Sequence, residues 1–202
     1  AYILREVNHF GVSGVREMEK RFIGGKTVYL RALEESDLEG PYLSWLNDPE
    51  VNRYTTTGLF PQTKDKLRAF YKGVSSDPNA VYFAIVDKKT HDHIGNVKLD
   101  KIDWINRRCE FGILIGDKRH WGRGVCKEAT GLVLKYAFTK LNLNKVCLSV
   151  VETNIAAVKC YRASGFKQEG VLEEMHHDHT RNKYVAHLVF GILKRDYLKT
   201  KK

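Results

Sequence analysis

Gly122 and Gly124 stand just before an amphipathic run, within the stretch GDKRHWGRGVCKEATG (116–131), and Lys118, Arg119, Arg123 and Lys127 crowd around them. A strand, a glycine turn and a helix in that order gather unpaired backbone N–H groups and a positive helix end at one place. Glycine also lets the backbone approach a ligand closely. The combination suits a phosphate group, and it equally describes a plain turn into a helix. Neither G-x-x-x-x-G-K-[ST] nor G-x-G-x-x-G is satisfied. Further along, Asn154, Ala157, Tyr161, Gly165 and Phe166 form N-x-x-A-x-x-x-Y-x-x-x-G-F. Asn154 can cap a helix, and Ala157 and Tyr161 share one helix face. Both suit packing on a sheet, but Tyr161 also carries a hydroxyl able to give up a proton.

Those side chains need elements to position them, and the hydropathy pattern gives a mixed α/β order. Residues 27–33 alternate as a strand does. Leu38, Tyr42, Leu43 and Leu46 recur at helical spacing behind a cap at Ser36, with Pro41 inside the run. A further helix is expected over 64–75. Residues 81–87, 93–103 and 107–117 read as an antiparallel meander whose first turn is the polar KKTHD. After Gly124, the positions Val125, Ala129, Leu132, Val133, Tyr136 and Ala137 put one apolar face on a long helix. Residues 145–151 form a nearly continuous apolar run, as in a central strand covered on both faces. A helix then runs from the cap Asn154 to Gly165, and strands over 167–177 and 183–194 close the pattern. Residues 1–25 read as an extension, partly helical around 15–22; 26–195 as one domain; and 196–202 as a basic tail.

Composition narrows the classes. A chain of 202 residues has the length of one compact domain. With 43% hydrophobic and 29% charged residues it has the balance of a globular protein and not of a disordered one. No long uninterrupted apolar window argues for a membrane span, and no secretory signal is evident, so the cytoplasm is the expected compartment. Cys109, Cys126, Cys147 and Cys160 make no C-x-x-C pair and read as small buried hydrophobes in a reducing compartment. His176, His177 and His179 fall on an expected hairpin and Thr90–His93 reads as a solvated turn, so no metal is expected. The net charge of +10 favours an anionic partner, although Lys194, Arg195, Lys199, Lys201 and Lys202 put part of it at the chain end.

The glycine stretch followed by the asparagine–tyrosine pattern resembles the GNAT superfamily of acyl-CoA-dependent N-acyltransferases. Residues 111–129 narrow the likeness to the branch of ribosomal-protein-alanine, spermidine and amino-sugar acetyltransferases. The resemblance spans 26–194. It implies an α/β fold of the α+β type, a single GNAT-like domain with a mixed, mostly antiparallel twisted sheet of about seven strands flanked by helices. It also implies acetyl-CoA as co-substrate and no metal. The family's diphosphate loop, [QR]-x-x-G-x-[GA], falls on Trp121, Gly122, Arg123, Gly124, Val125 and Cys126. Trp121 replaces the usual Gln or Arg and Cys126 the usual Gly or Ala, which leaves the backbone donors in place. By the same likeness Ile113, Leu114 and Ile115 pair with the pantetheine arm as a peptide would, and Asn154, with Ala157 beside it, contacts that arm. Tyr161 protonates the departing thiolate. Arg119 stands with the cations around the glycine turn, and Lys159 and Arg162 lie where they could approach the adenosine phosphate, although they read first as exposed helix charges.

The implied reaction is direct attack of a neutral amine on the thioester. The amine must lose a proton, the carbonyl oxygen needs a donor, and the thiolate needs a proton. A backbone N–H after Gly112 suits the second need. Glu110 is the first choice of base, directly or through water, and equally suits a strand carboxylate paired with Arg107 or Arg108; His176, His177 and His179 form the alternative cluster near the substrate end. Some relatives carry a glutamate five residues before the motif asparagine, where this chain has Ser149. Acceptor contacts are expected from Trp45, Asn47, Tyr54, Thr55 and Trp104, and from His176, although the aromatics equally suit a core. A small-molecule amine, above all an amino sugar carried on a nucleotide, is favoured over a protein N-terminal amine or a polyamine. A CoA-binding domain without catalysis is the nearest alternative. Nucleic-acid binding is disfavoured, because charge comes without a recognition helix or stacking platform. An edge strand near the C-terminus would permit a homodimer.

Overall fold

The computed structural model describes residues 21–199. Its strands are β1 (Ile23–Gly24), β2 (Val28–Ala32), β3 (Val81–Asp87), β4 (His93–Asp103), β5 (Arg108–Ile115), β6 (Lys145–Val151), β7 (Lys167–Asp178) and β8 (Lys183–Leu193). They form one eight-stranded sheet in the order β1-β2-β3-β4-β5-β6-β8-β7. All neighbours are antiparallel except β5 and β6, which run parallel. The helices are α1 (Tyr42–Asn47), α2 (Lys64–Ser76), α3 (Val125–Thr139), α4 (Ile155–Ala163) and α5 (Lys194–Lys199).

Strand parity divides the core in two. Phe111 and Ile113 of β5, Val146, Leu148 and Val150 of β6, and the apolar faces of α3 and α4 make one cluster. Leu114, from the opposite face of β5, joins Tyr42, Trp45 and Leu67 of α1 and α2 in the other. With helices on both faces, β3 buries four successive residues, Phe83–Val86, instead of alternating.

Local chemistry explains where the elements begin. Pro41 splits the first expected helix: Glu35–Glu39 is a 3-10 turn closed by a reciprocal Glu34–Asp37 capping box, and Pro41 becomes the N-cap of α1. Ser36 is therefore not the cap. Thr63 Oγ1 accepts from the Lys66 N–H to start α2, and Gly165, at φ +94°, ends α4 in the left-handed conformation.

Two segments at the ends depart from expectation. Ile23 and Gly24, assigned to the extension, pair with Leu30 and Tyr29 as an eighth strand, and Phe22 stacks on Phe83 at 5.7 Å. The helix expected around 15–22 lies largely outside the described residues. At the other end α5 is no solvated tail, because Tyr197 is buried against Phe138 at 5.1 Å. His93 departs as well: its imidazole is not solvated but buried beside Asp37. All four cysteines are free thiols, and Cys126 and Cys160 touch, Sγ to Sγ 2.6 Å, between α3 and α4.

Candidate active site

The β5–β6 pairing stops at Glu110–Cys147. Beyond it β5 stays with β4 up to Ile115 and β6 stays with β8 up to Val151, so the sheet opens as a wedge. The Gly116 N–H donates to the Ile94 carbonyl at 3.0 Å. Alternation in an antiparallel ladder then turns the N–H and C=O of Ile113 and Ile115 away from β4 and into the wedge. Trp121 Nε1 donates to the Ile115 carbonyl at 2.8 Å, which fixes that strand end. The helix side of the wedge is packed by Phe111, Tyr161 and Phe166, whose rings lie 5.9 to 6.0 Å apart. An unpaired strand edge of this kind is what an extended, amide-bearing arm can pair with.

The glycine turn leads into α3 beside this edge. Gly122 and Gly124 have φ of +72° and +80°. Gly124 is the N-cap and offers no side chain, and Glu128 is the first residue whose N–H meets the cap carbonyl, at 3.0 Å. The amides of Val125, Cys126 and Lys127 are thus left at a positive helix end. An open hollow of about 900 Å³ continues from there past Gly124, Lys127, Gly131, Arg162 and Ser164. Lys159 is exposed and outside its lining. Arg119 instead forks onto Asp117 at 2.7 to 3.1 Å, and Lys118 is paired with Asp48 and Glu50. A Cβ on Gly124 would meet nothing within 4 Å, so crowding is not the constraint; the left-handed backbone is. Gly124→Ala is expected to raise the Kd for CoA about 5-fold, the factor set by about 1 kcal/mol of left-handed strain. Calorimetry showing an unchanged Kd would remove this turn from the phosphate site.

Tyr161 is 7% exposed. Burial pushes its phenol far above the ordinary value, so it stays protonated at neutral pH. Among the described residues no hydrogen bond engages its hydroxyl, which leaves the proton free to donate. Asn154 caps α4, its Oδ1 accepting from the Ala157 N–H at 3.2 Å. Its Nδ2 is the group left for a ligand. Ala157 is half-buried against the core.

On the other face, α1 and α2 roof a cavity of about 400 Å³ over β3, β4 and β5. Tyr42, Phe70 and Tyr82 supply rings, Asn52, Thr55, Thr57, Gln62 and Asn96 supply amides and hydroxyls, and Lys66 and Lys98 supply charge. Its floor includes Gly112, Ile113 and Leu114, the same segment that borders the wedge. No Asp or Glu is among the described residues that line it.

The expected acceptor residues are only partly gathered here. Trp45 is a core residue: it packs where a Cβ on Gly116 would sit 2.0 Å from its ring, and it does not line the cavity. Trp104 lies on the β4–β5 turn, 49% exposed, and donates to Asn79 Oδ1 at 3.0 Å. Tyr54 reaches the end of β6, donating to the Thr153 carbonyl at 3.2 Å, and its neighbour Thr55 lines the cavity. His176 sits at the β7 bulge against His187, ring to ring 5.8 Å. Glu110 is paired with Lys101 at 2.8 Å, whereas Arg108 pairs with Asp103. Sequence reasoning passed over Asn96 and Lys98. The alternation in IGNVKL could have found them, since it sets both on the face opposite Val97 and Leu99. Asn96 Oδ1 accepts from His93 Nε2 at 2.9 Å; behind the ring Arg31 forks onto Asp37 at 2.7 and 2.8 Å, and His93 Nδ1 lies 3.5 Å from Asp37 Oδ1 without a hydrogen bond. That leaves Asn96 Nδ2 without a partner among the described residues.

A wedge of unpaired strand amides, a glycine-led helix N-terminus on one face and a cavity on the other define an acyl-CoA-binding transferase. The family model described as acetyltransferase (GNAT) domain matches residues 27–167. The chain belongs to the GNAT acetyltransferase family, and it is an acetyl-CoA-dependent N-acetyltransferase. It is 31% identical over 183 residues to the N-acetyltransferase p20 of Bacillus licheniformis, covering 89% of this chain and 99% of that one. It is 36% identical over 148 residues to spermidine N(1)-acetyltransferase of Vibrio cholerae, covering 72% and 82%. The solved structure of spermidine N-acetyltransferase from Vibrio cholerae in complex with CoA and spermine superposes with a TM-score of 0.77 at 31% identity, covering 85% of this chain and 98% of that one. Among the described residues no helix is long and apolar enough to cross a membrane.

Proposed function

We propose that the enzyme acetylates the primary amine of an amino sugar, held in the cavity under α1 and α2. The observation that carries this is the shared border: Gly112–Leu114 floors the cavity and edges the wedge, so an amine on one side meets a thioester on the other. The Ile113 N–H, turned into the wedge, donates to the carbonyl oxygen as negative charge grows on it. The C–N bond forms as the C–S bond breaks, and Tyr161 gives the departing sulfur a proton. No protein side chain is acylated.

The lining favours a polyhydroxylated acceptor, because amides, hydroxyls and aromatic rings surround it. Lys98 is ion-paired with Asp100, so the cation left for an anionic appendage such as a phosphate is Lys66, whose ammonium also donates to the Pro61 carbonyl at 2.9 Å. The second reading is a polyamine acceptor, favoured by the likeness to spermidine acetyltransferases. Thiol release from acetyl-CoA, measured with UDP-linked amino sugars, glucosamine 6-phosphate, spermidine and N-terminal peptides, separates the readings. Lys66→Glu is expected to lower kcat/KM for a phosphate-bearing amine about 10-fold or more and to raise it for spermidine, in line with the loss of one charged hydrogen bond. A wild-type preference for spermidine would establish the polyamine reading instead. No thiol release with any of these amines would sink acetylation of a small amine.

A further inference from the structure

We propose that Ser149 and His187 act as a dyad that takes the proton from the attacking amine, Ser149 meeting the amine and His187 receiving the proton through it. This rests on the acetyl-transfer reading above. Ser149 is two residues beyond Cys147, the last β6 residue paired with β5. Continuing the Glu110–Cys147 register sets Ser149 opposite Gly112, across the wedge. Val146, Leu148 and Val150 point into the core under α3 and α4, so Ser149, between them in parity, points to the cavity face. It is exposed, and its Oγ lies 2.8 Å from His187 Nδ1. The diagonal placement follows from the β6–β8 register, which pairs Ser149 with Val189 and Val151 with His187.

The surroundings of the ring suit a proton acceptor. From β7, Leu172 lies opposite it and His176 beside it; from β6 come Ser149 and Val151. Among the described residues no carboxylate or cation is ion-paired with it, and the nearby Glu152 carboxylate accepts from the Ala186 N–H. Burial, with His176 adding to it, holds the imidazole below its ordinary pKa, so it is neutral at pH 7 and Nδ1 can accept. His187 Nε2 is buried without a partner among the described residues and carries the ring hydrogen in that tautomer. The transfer balances: one amine proton passes to Oγ while the hydroxyl proton passes to Nδ1, leaving an intact serine and an imidazolium that returns its proton to water. Glu110, on the other strand, is already engaged by Lys101.

The test compares wild type, Ser149→Ala, His187→Gln and the double variant with acetyl-CoA and either glucosamine 6-phosphate or spermidine. Each variant is expected to lose about 100-fold in kcat at pH 7, with CoA affinity unchanged. The double variant should be no worse than either single one, since the groups act as a unit. The loss should shrink at alkaline pH, where the amine deprotonates unaided, and the acid limb of kcat/KM should lose the step set by His187 in His187→Gln, keeping only the limb set by the amine's own deprotonation. A titration of His187 by NMR, independent of any acceptor, should show its pKa below the ordinary value. Wild-type kcat in Ser149→Ala, which removes only an exposed hydroxyl, overturns the dyad, as does an acid limb in His187→Gln identical to that of wild type. Absence of thiol release in every protein with both amines instead removes the acetyl-transfer reading.

Discussion

Tyr161→Phe leaves CoA affinity near that of wild type and lowers kcat about 10- to 1000-fold, a rise of about 1.4–4 kcal/mol in the barrier. Only the oxygen is removed. The ring keeps its edge-on contacts with Phe111 and Phe166, so the wedge retains its packing and the CoA arm its strand edge. No protein hydrogen bond is broken among the described residues, and the variant should melt at or slightly above the wild-type temperature. What is lost is a phenol that burial keeps protonated through the neutral range, placed where β5 and β6 part. Single-turnover kinetics with calorimetry separates the two quantities. Wild-type turnover in the variant would take Tyr161 out of the acid role; a matching loss of CoA affinity would make it a binding residue.

What the sequence revealed of this site depended on how local each feature is. The α3 apolar stripe, the β3–β5 meander and the Asn154–Tyr161 helix are each written within one segment, and all three formed where periodicity placed them. Gly122 and Gly124 were legible for the same reason, because a positive φ leaves a glycine in the sequence. The acceptor cavity was not. Trp45 and Trp104 drew attention as aromatics, yet the cavity is decided by strand parity, which brings Asn96 and Lys98 of β4 beside Gly112 of β5. The Ser149–His187 contact needs the β6–β8 pairing, which joins strands separated by α4 and β7. His93 illustrates the limit most directly. It follows a polar turn and looks solvated, and only Asp37, delivered by a capped 3-10 turn far earlier in the chain, shows that it is interior. Likewise Phe22 and Tyr197 join the fold because Phe83 and Phe138 receive them, which no local pattern records.

Asp37→Ala is expected to cost about 3–5 kcal/mol of stability, the range for removing one partner of a buried ion pair. The two side chains are 13% and 5% exposed. The carboxylate also accepts from the Glu34 N–H at 2.8 Å, so its loss removes the counter-charge of a buried guanidinium, which among the described residues keeps only the Ala32 carbonyl at 3.0 Å, together with the acceptor of that backbone N–H. Urea midpoints with an unchanged slope measure the effect, and a loss below about 1 kcal/mol would place the pair among solvent-screened ones. The pH dependence follows from the same contacts. Burial raises the Asp37 pKa, but the Arg31 fork, His93 and the Glu34 amide outweigh it and hold the carboxyl below its ordinary value. Its contribution is therefore fully present above the unfolded pKa of about 3.9 and is lost as pH falls through the lower folded value. Wild-type stability should fall in that acid range more steeply than that of Asp37→Ala. His93 Nδ1 lies 3.5 Å from Asp37 without a hydrogen bond and Asn96 is met by His93 Nε2, so the substitution should leave KM for the acceptor and CoA affinity near their wild-type values. Replacing both partners, Arg31→Met with Asp37→Leu, should restore most of the stability. A double variant no more stable than Asp37→Ala would mean that the carboxylate's contact with the Glu34 N–H, and not the ion pair, is what holds the capped turn.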